Sequence, residues 1–350
     1  MSTVLQGSVF FLPGAKTLTE VKPHLTYQQQ LAKMRARGLT YKDHILAIQS
    51  LKRIGYYRLS AYTYPFRILD ESQSTPVLRD EFERGTTFED ALYLYAFDEK
   101  LRTILLEGLN AIEIGLGVQV GYTLGKRSPI GHENVNDLNV HACNEVISYT
   151  SDGTPVTQYA AWRMRYEKLL VDAKNEVYVQ HHQREYGGHF PVWVATEFMD
   201  FGCLLRLFDM LRTEDKKKIA LAFGVDRDGH EVLFKWLKAL NVLRNHCAHS
   251  NRVWNRATVN APGRYRSGIV DARLHHLNAI ADSERPRIYI VAAIVAYLST
   301  KINPQTNWPR TFATQVKKFK SVRGRTVGTE MGFPEDWEQL DLWNWDPKAK

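Results

Sequence analysis

At 350 residues, with 44% hydrophobic and 24% charged side chains, the chain has the composition of a soluble globular protein, which excludes a disordered one. Its 46 Lys and Arg exceed 38 Asp and Glu, giving a formal net charge of +8; this points to an anionic partner, nucleic acid first, with a merely solubilising surface as the plain alternative. Cys143, Cys203 and Cys247 are widely spaced and form no CxxC pair, which argues against a disulfide framework or a thiolate zinc site and suits a reducing cytoplasm.

Residues 1–17 lack a basic region before their short apolar run, so no signal peptide is expected. Thr26-Tyr-Gln-Gln29 reads as a capping box for a helix through Leu31 and Met34 that ends near Gly38. Thr40-Tyr-Lys-Asp43 is expected to open a second helix, with Ile45, Ile48, Leu51 and Ile54 at near-helical spacing. Gly55 then leads into 56–62, stopped by Pro65. Phe88 to Tyr122 predicts one long helix with Leu101, Leu105, Leu109, Ile112 and Leu116 on one side, loosened by Gly115 and Gly117. From Leu124 to Gln158 the pattern collapses into an irregular connection. A helix is expected from Tyr159 to Tyr186, and another from Pro191 through Trp193, Glu197 and Phe201 to Gly202. Segments 204–211, 216–223 and 232–254 follow, then a loop-rich 257–285 and a last long helix over 286–302. The apolar run Ile288–Leu298 is too short to cross a bilayer, so no membrane partner is expected. With no repeat and no alternating strands, the expectation is an all-α fold in a single domain over 1–350. Its parts are N-terminal helices at 20–125, the connection at 126–158, helices at 159–256 and a C-terminal extension at 257–350.

The stretch 240–256, LNVLRNHCAHSNRVWNR, is the most informative. On an ideal wheel Leu240, Leu243 and Cys247 form a core-facing stripe, while Asn241, Asn245, His249 and Arg252 lie opposite within roughly 80°. Arg244 falls about 140° from His249, within reach of a long side chain, and His246 points elsewhere. Cutting RNA without a metal requires a proton taken from the ribose 2′-OH, a proton given to the leaving 5′ oxygen, and charge stabilised at phosphorus. A histidine exchanges protons near neutral pH, and an arginine presents a permanently charged fork to phosphate. Asn245 and Asn241 could orient the imidazole or hold a phosphate. The spacing RxxxxH by itself is weak: it occurs at Arg127–His132, Arg184–His189 and Arg244–His249. Only the third has helical flanks. The alternative is that both side chains only bind neighbouring helices.

Other candidates are less pointed. Tyr56, Tyr57, Arg58, Tyr62, Tyr64 and Arg67 interleave aromatic and basic residues as RNA-stacking surfaces do, although packing between helices is the preferred reading, with Arg58 an exposed contact. Glu113 and Glu197 could each orient Arg244 or His249 through a charge-assisted bond, or form an ordinary ion pair. Arg252, Arg256, Arg264 and Arg266 extend the basic character as a phosphate track; Lys317, Lys318, Lys320, Arg323 and Arg325 read as a solvated helix end. His181-His182 and His275-His276 lack ligand spacing, and neither a GxxxxGK[ST] nor a GxGxxG loop occurs. No metal and no cofactor is expected.

Several motifs in order resemble the Abi-like (abortive infection) protein family. They are Lys22-Pro23 with Thr26-Tyr-Gln-Gln-Gln30, Arg37-Gly38-Leu39, Ile54-Gly-Tyr-Tyr-Arg-Leu-Ser60, and Tyr95-Ala-Phe-Asp98 with Leu101-Arg102. Ile112-Glu113, Pro191-Val-Trp-Val-Ala-Thr-Glu197, Phe201-Gly202, Arg244-Asn-His-Cys-Ala-His249 and Met331-Gly-Phe-Pro-Glu-Asp-Trp337 continue the series. The resemblance implies an all-α, HEPN-like helical bundle with additional N- and C-terminal helices. It also implies a metal-independent endoribonuclease of bacterial phage defence, or a toxin of a toxin–antitoxin pair. Arg244 and His249 match the family's catalytic pair and Asn245 the polar residue after the Arg. A homodimer with facing motifs, RNA as substrate, and a small noncoding RNA as antitoxin are implied likewise. The chain departs from the family where a second Arg usually follows the Ile-Glu motif and here Gly115-Leu-Gly117 stands, and its connection after Leu124 is longer. Two other readings stand beside it: a non-catalytic RNA-binding dimer that sequesters a structured RNA and shares the charge and the fold, and a helical protein–protein adaptor, which predicts an exposed apolar patch and no salt-sensitive RNA binding.

Overall fold

The computed structural model describes residues 21–72, 75–258, 261–266 and 268–347, so the segment read for a signal peptide lies outside the described residues. The chain divides into two compact units, one up to Tyr93 and one from Leu94 onward.

In the first unit, α1 (Tyr27–Ala36) begins with the expected capping box on Thr26. Helix α2 (His44–Ile54) starts later than Thr40: Asp43 is its cap, accepting from the Leu46 amide at 3.0 Å, while Thr40 bridges Thr87. Gly55, at φ +91°, turns the chain into α3 (Tyr56–Thr63). An unforeseen antiparallel hairpin follows, β1 (Arg67–Asp70) with β2 (Val77–Phe82). Most of its residues are at least partly exposed, so burial imposes no alternation that a sequence pattern could reveal. Leu31, Met34, Leu51, Leu59, Tyr62 and Phe66 are buried at the centre of this unit.

Helix α4 (Phe88–Gly125) is 38 residues long and unbroken at Gly115 and Gly117. Gly115, like Gly108 earlier in the helix, admits a neighbour: a Cβ on Gly115 would lie 3.0 Å from Ile302, and one on Gly108 would lie 2.7 Å from Val295 and the Trp308 indole. By length and composition α4 could cross a membrane, yet half of its most apolar stretch is buried by the protein itself.

The connection after α4 is less irregular than expected. It holds the short helix α5 (Val140–Asn144) and a second exposed hairpin, β3 (Val146–Tyr149) with β4 (Pro155–Thr157). The helix expected over 159–186 is two, α6 (Gln158–Asp172) and α7 (Val177–Glu185), parted by the polar Ala173–Glu176 turn. The helix expected over 191–202 is only α8 (Val192–Ala195); Asp200 then caps a new helix, α9 (Phe201–Met210). Helices α10 (Thr213–Ala222), α11 (His230–Ala248) and the almost wholly buried α12 (Ile288–Ile302) follow. Beyond the expected last helix stand α13 (Trp308–Lys317), entered through Pro309, and the short α14 (Val327–Met331). In this unit α11 packs against α9, α10 and α12, and α9 also packs against α6. The protein is mainly helical, as expected.

Candidate active site

Leu233, Trp236, Leu237, Leu240, Leu243 and Cys247 bury one side of α11. This fixes the helix in the core and turns its polar residues outward. The helix does not run on to Trp254: it closes at Ala248, with His249 as its C-terminal cap. Ser250 takes the left-handed conformation, φ 54°. The Ser250 amide donates to Cys247 O at 3.1 Å and the Asn251 amide to His246 O at 2.9 Å, the double bond of a Schellman ending with serine where glycine is usual. Beyond it, Val253 and Trp254 donate their amides to the buried Asp98 carboxylate of α4, at 3.2 and 2.9 Å, and Arg102 closes on the same carboxylate. The exit of the helix is thus strapped to α4 within four or five residues of His249.

Around this ending lies a cavity of about 550 Å³, lined from α11 and its exit by Asn241, Arg244, Asn245, His246, His249 and Asn251. Arg165 of α6 and Asp200, Phe201 and Gly202 at the start of α9 line the other side. Arg244 donates through Nε to Glu113 Oε2 of α4 at 3.2 Å, so its Nη nitrogens have no further hydrogen bond among the described residues. Burial pushes the Glu113 carboxyl up from its ordinary value; Arg244 and the nearby Phe201 amide pull the other way. Arg165 Nη2 is hydrogen-bonded to Asp200 Oδ2, while Asp200 Oδ1 accepts from the Cys203 amide at 2.8 Å.

Arg244, His249, Asn245 and Asn241 therefore line one cavity, and Glu113 is the carboxylate that holds the arginine. Glu197 is not: it lies exposed beyond α8 and lines an adjoining groove that shares Arg244, without bonding Arg244 or His249. Arg256 is exposed, and its charge reaches His246; Arg252 is half-buried and does not line the cavity. Arg264 is engaged with Asp282 and two carbonyls rather than set along a track. Arg58 is exposed on α3, in the first unit. His246 corrects the wheel reading: it does line the cavity, because at a terminating helix the cavity wraps around the end and takes in more than one face. Burial first, then the charges of Arg256 and His249, lower its pKa, and Nδ1 stands 3.3 Å from Asn251 Nδ2. Arg165 and Asp200 went unnoticed in the sequence; the one available signal was Asp200 as a helix cap before Phe201-Gly202.

The adjoining groove runs from Arg244 past Ile114, Val118 and Glu197, and a further cavity of about 630 Å³ continues it along Tyr122 and Trp193. Ile114, Val118 and Tyr122 recur every four residues on α4 and, with Trp193, are 68%, 57%, 72% and 50% exposed. Among the described residues no group of three or more His, Cys, Asp or Glu is arranged to hold a metal ion.

A model of the Abi-like protein family matches residues 49–255. No curated protein and no solved structure matches the chain.

Proposed function

The chain belongs to the Abi-like protein family, which implies a part in abortive infection, and from that premise we propose that it is a HEPN-type, metal-independent endoribonuclease of bacterial phage defence. The observation that carries this reading is the meeting of Arg244 and His249 at one solvent-open cavity, the arginine held by Glu113 with its outer nitrogens unengaged. His249 exchanges the proton of the ribose 2′-OH or of the leaving 5′ oxygen; Arg244 neutralises the phosphate as charge builds on it; Asn245 positions one of them. The 2′ oxygen forms a bond to phosphorus, the bond to the 5′ oxygen breaks, and the products carry a 2′,3′-cyclic phosphate and a 5′-OH.

The protein acts in the cytoplasm as a homodimer. The apolar stripe of Ile114, Val118, Tyr122 and Trp193 supports this, since it is contiguous with the cavity and is the kind of surface a second copy covers. Light scattering of dilute protein checks it; a fully active monomer ends the idea. A small noncoding RNA is its antitoxin, to be sought by sequencing copurified RNA.

In a chelator-treated assay, His249→Ala is expected to lower the cleavage rate about 10²- to 10⁴-fold, the range of a lost acid–base group. Cleavage at the wild-type rate sinks the assignment. Tight RNA binding without cleavage at any pH would favour a sequestering dimer instead.

A further inference from the structure

The cavity contains a second guanidinium whose mounting repeats that of the first. Glu113, beside the Phe201 amide, holds Arg244; Asp200 accepts from the Cys203 amide and holds Arg165. Asp200 is thereby fixed to the first turn of α9 and Glu113 stands close to it, and each carboxylate fixes one arginine. Gly202, between those two amides, lines the cavity without a side chain. We propose that Arg165 is a second phosphate-binding residue, gripping the RNA phosphate next to the one held at Arg244 and His249, with Asp200 as its positioning residue. This rests on the nuclease reading for the identity of the first phosphate, but not for the binding itself.

Three arguments converge. The Arg165 and Asp200 side chains are 41% and 29% exposed, and an ion pair so open to solvent adds little to folding. Its effect is to hold a charged fork in one rotamer, so that less freedom is lost when an anion arrives. Arg165 is engaged through Nη2 alone, which leaves Nη1 and Nε without a hydrogen bond among the described residues. Finally, the cavity of about 550 Å³ is far larger than one phosphate needs, and its two arginines come from different helices, α6 and α11. That arrangement suits consecutive phosphates of a single strand better than one bidentate grip.

Binding is read in the His249→Ala background with a fluorescein-labelled, ten-nucleotide single-stranded RNA over a series of salt concentrations. Adding Arg165→Gln is expected to weaken binding about tenfold and to lower the slope of log affinity against log salt by roughly 0.7, the share of one phosphate contact on a single strand. Arg165→Lys, which keeps the charge, is expected to restore the slope, a response that loss of fold does not give. In cleavage by protein with His249 intact, Arg165→Gln should cost more on a trinucleotide, with two phosphates, than on a dinucleotide with one. Unchanged affinity and slope, or equal losses on the two substrates, overturn the proposal while leaving the nuclease reading intact. If the parent protein binds RNA in an Arg165-dependent way and cuts nothing, the clamp stands and the nuclease reading falls.

Discussion

Arg127–His132 and Arg244–His249 carry the same spacing and have opposite fates. Arg127 is spent on Asp215, at 2.6 Å, and on the Asp137 carbonyl. His132 is fully buried against Trp162 and Tyr166, its Nε2 3.3 Å from the tyrosine oxygen; burial first, and the charge of Arg163 second, push its pKa down to about 3. Such an imidazole is neutral and sealed from any substrate. Arg244 is held through one nitrogen, His249 stands exposed at a helix end, and one cavity joins them. The third instance, Arg184–His189, pairs outward with Glu185 and Glu133. Five residues of spacing specify nothing; the outcome depends on where the helix stops and which nitrogens its neighbours consume.

The contrast can be broken first at the strap beyond His249. Asp98→Ala removes the buried carboxylate that Arg102 and two backbone amides share, so urea unfolding should show a loss of about 3–5 kcal/mol. A protein as stable as the parent would mean that the exit of α11 is held by something else. Next come the two arginines: Arg244→Gln is expected to slow cleavage about 10²- to 10³-fold with the fold retained. Arg127→Gln should reduce stability yet leave the rate per folded molecule unchanged, as single-turnover assays on both proteins will reveal. Equal kinetic losses would erase the distinction between the motifs.

His132 gives a smaller, pH-dependent effect. Its folded pKa of about 3 lies below the ordinary 6.5, so its contribution to stability is complete above pH 6.5 and is lost as pH falls toward 3. The slope reaches at most about 1.4 kcal/mol per pH unit for one proton. His132→Phe should flatten that part of the curve of urea midpoint against pH, and an unaltered slope would assign the acid sensitivity to other groups. Smallest is Ser250→Gly, which relieves a left-handed serine and is expected to raise stability by about 1 kcal/mol. A loss in thermal melting would show that the serine side chain does more than tolerate its φ.

Much of the site is legible in the chain's own pattern. The apolar stripe Leu240–Leu243–Cys247 announces which side of α11 is buried, and the polar side is then fixed as its opposite. Glu113 is a candidate because a carboxylate on an apolar helix needs a partner. Glu197 meets the same criterion and fails, since its segment breaks after α8 and leaves it in solvent. His246 is misplaced by an ideal wheel because the wheel assumes an endless helix, whereas this one ends two residues later.

The sequence by itself determined the helical class, the long α4, the buried side of α11 and the family to which the chain belongs, because periodicity and local motifs are written in neighbouring residues. Only the tertiary structure decided that Asp98 ties down Val253 and Trp254 beyond α11, and that Asp200 holds Arg165 while Glu113 holds Arg244 at one cavity. Those pairings join residues from 35 to more than 150 positions apart, and no local periodicity records which distant partner a charged side chain will meet once the core has closed.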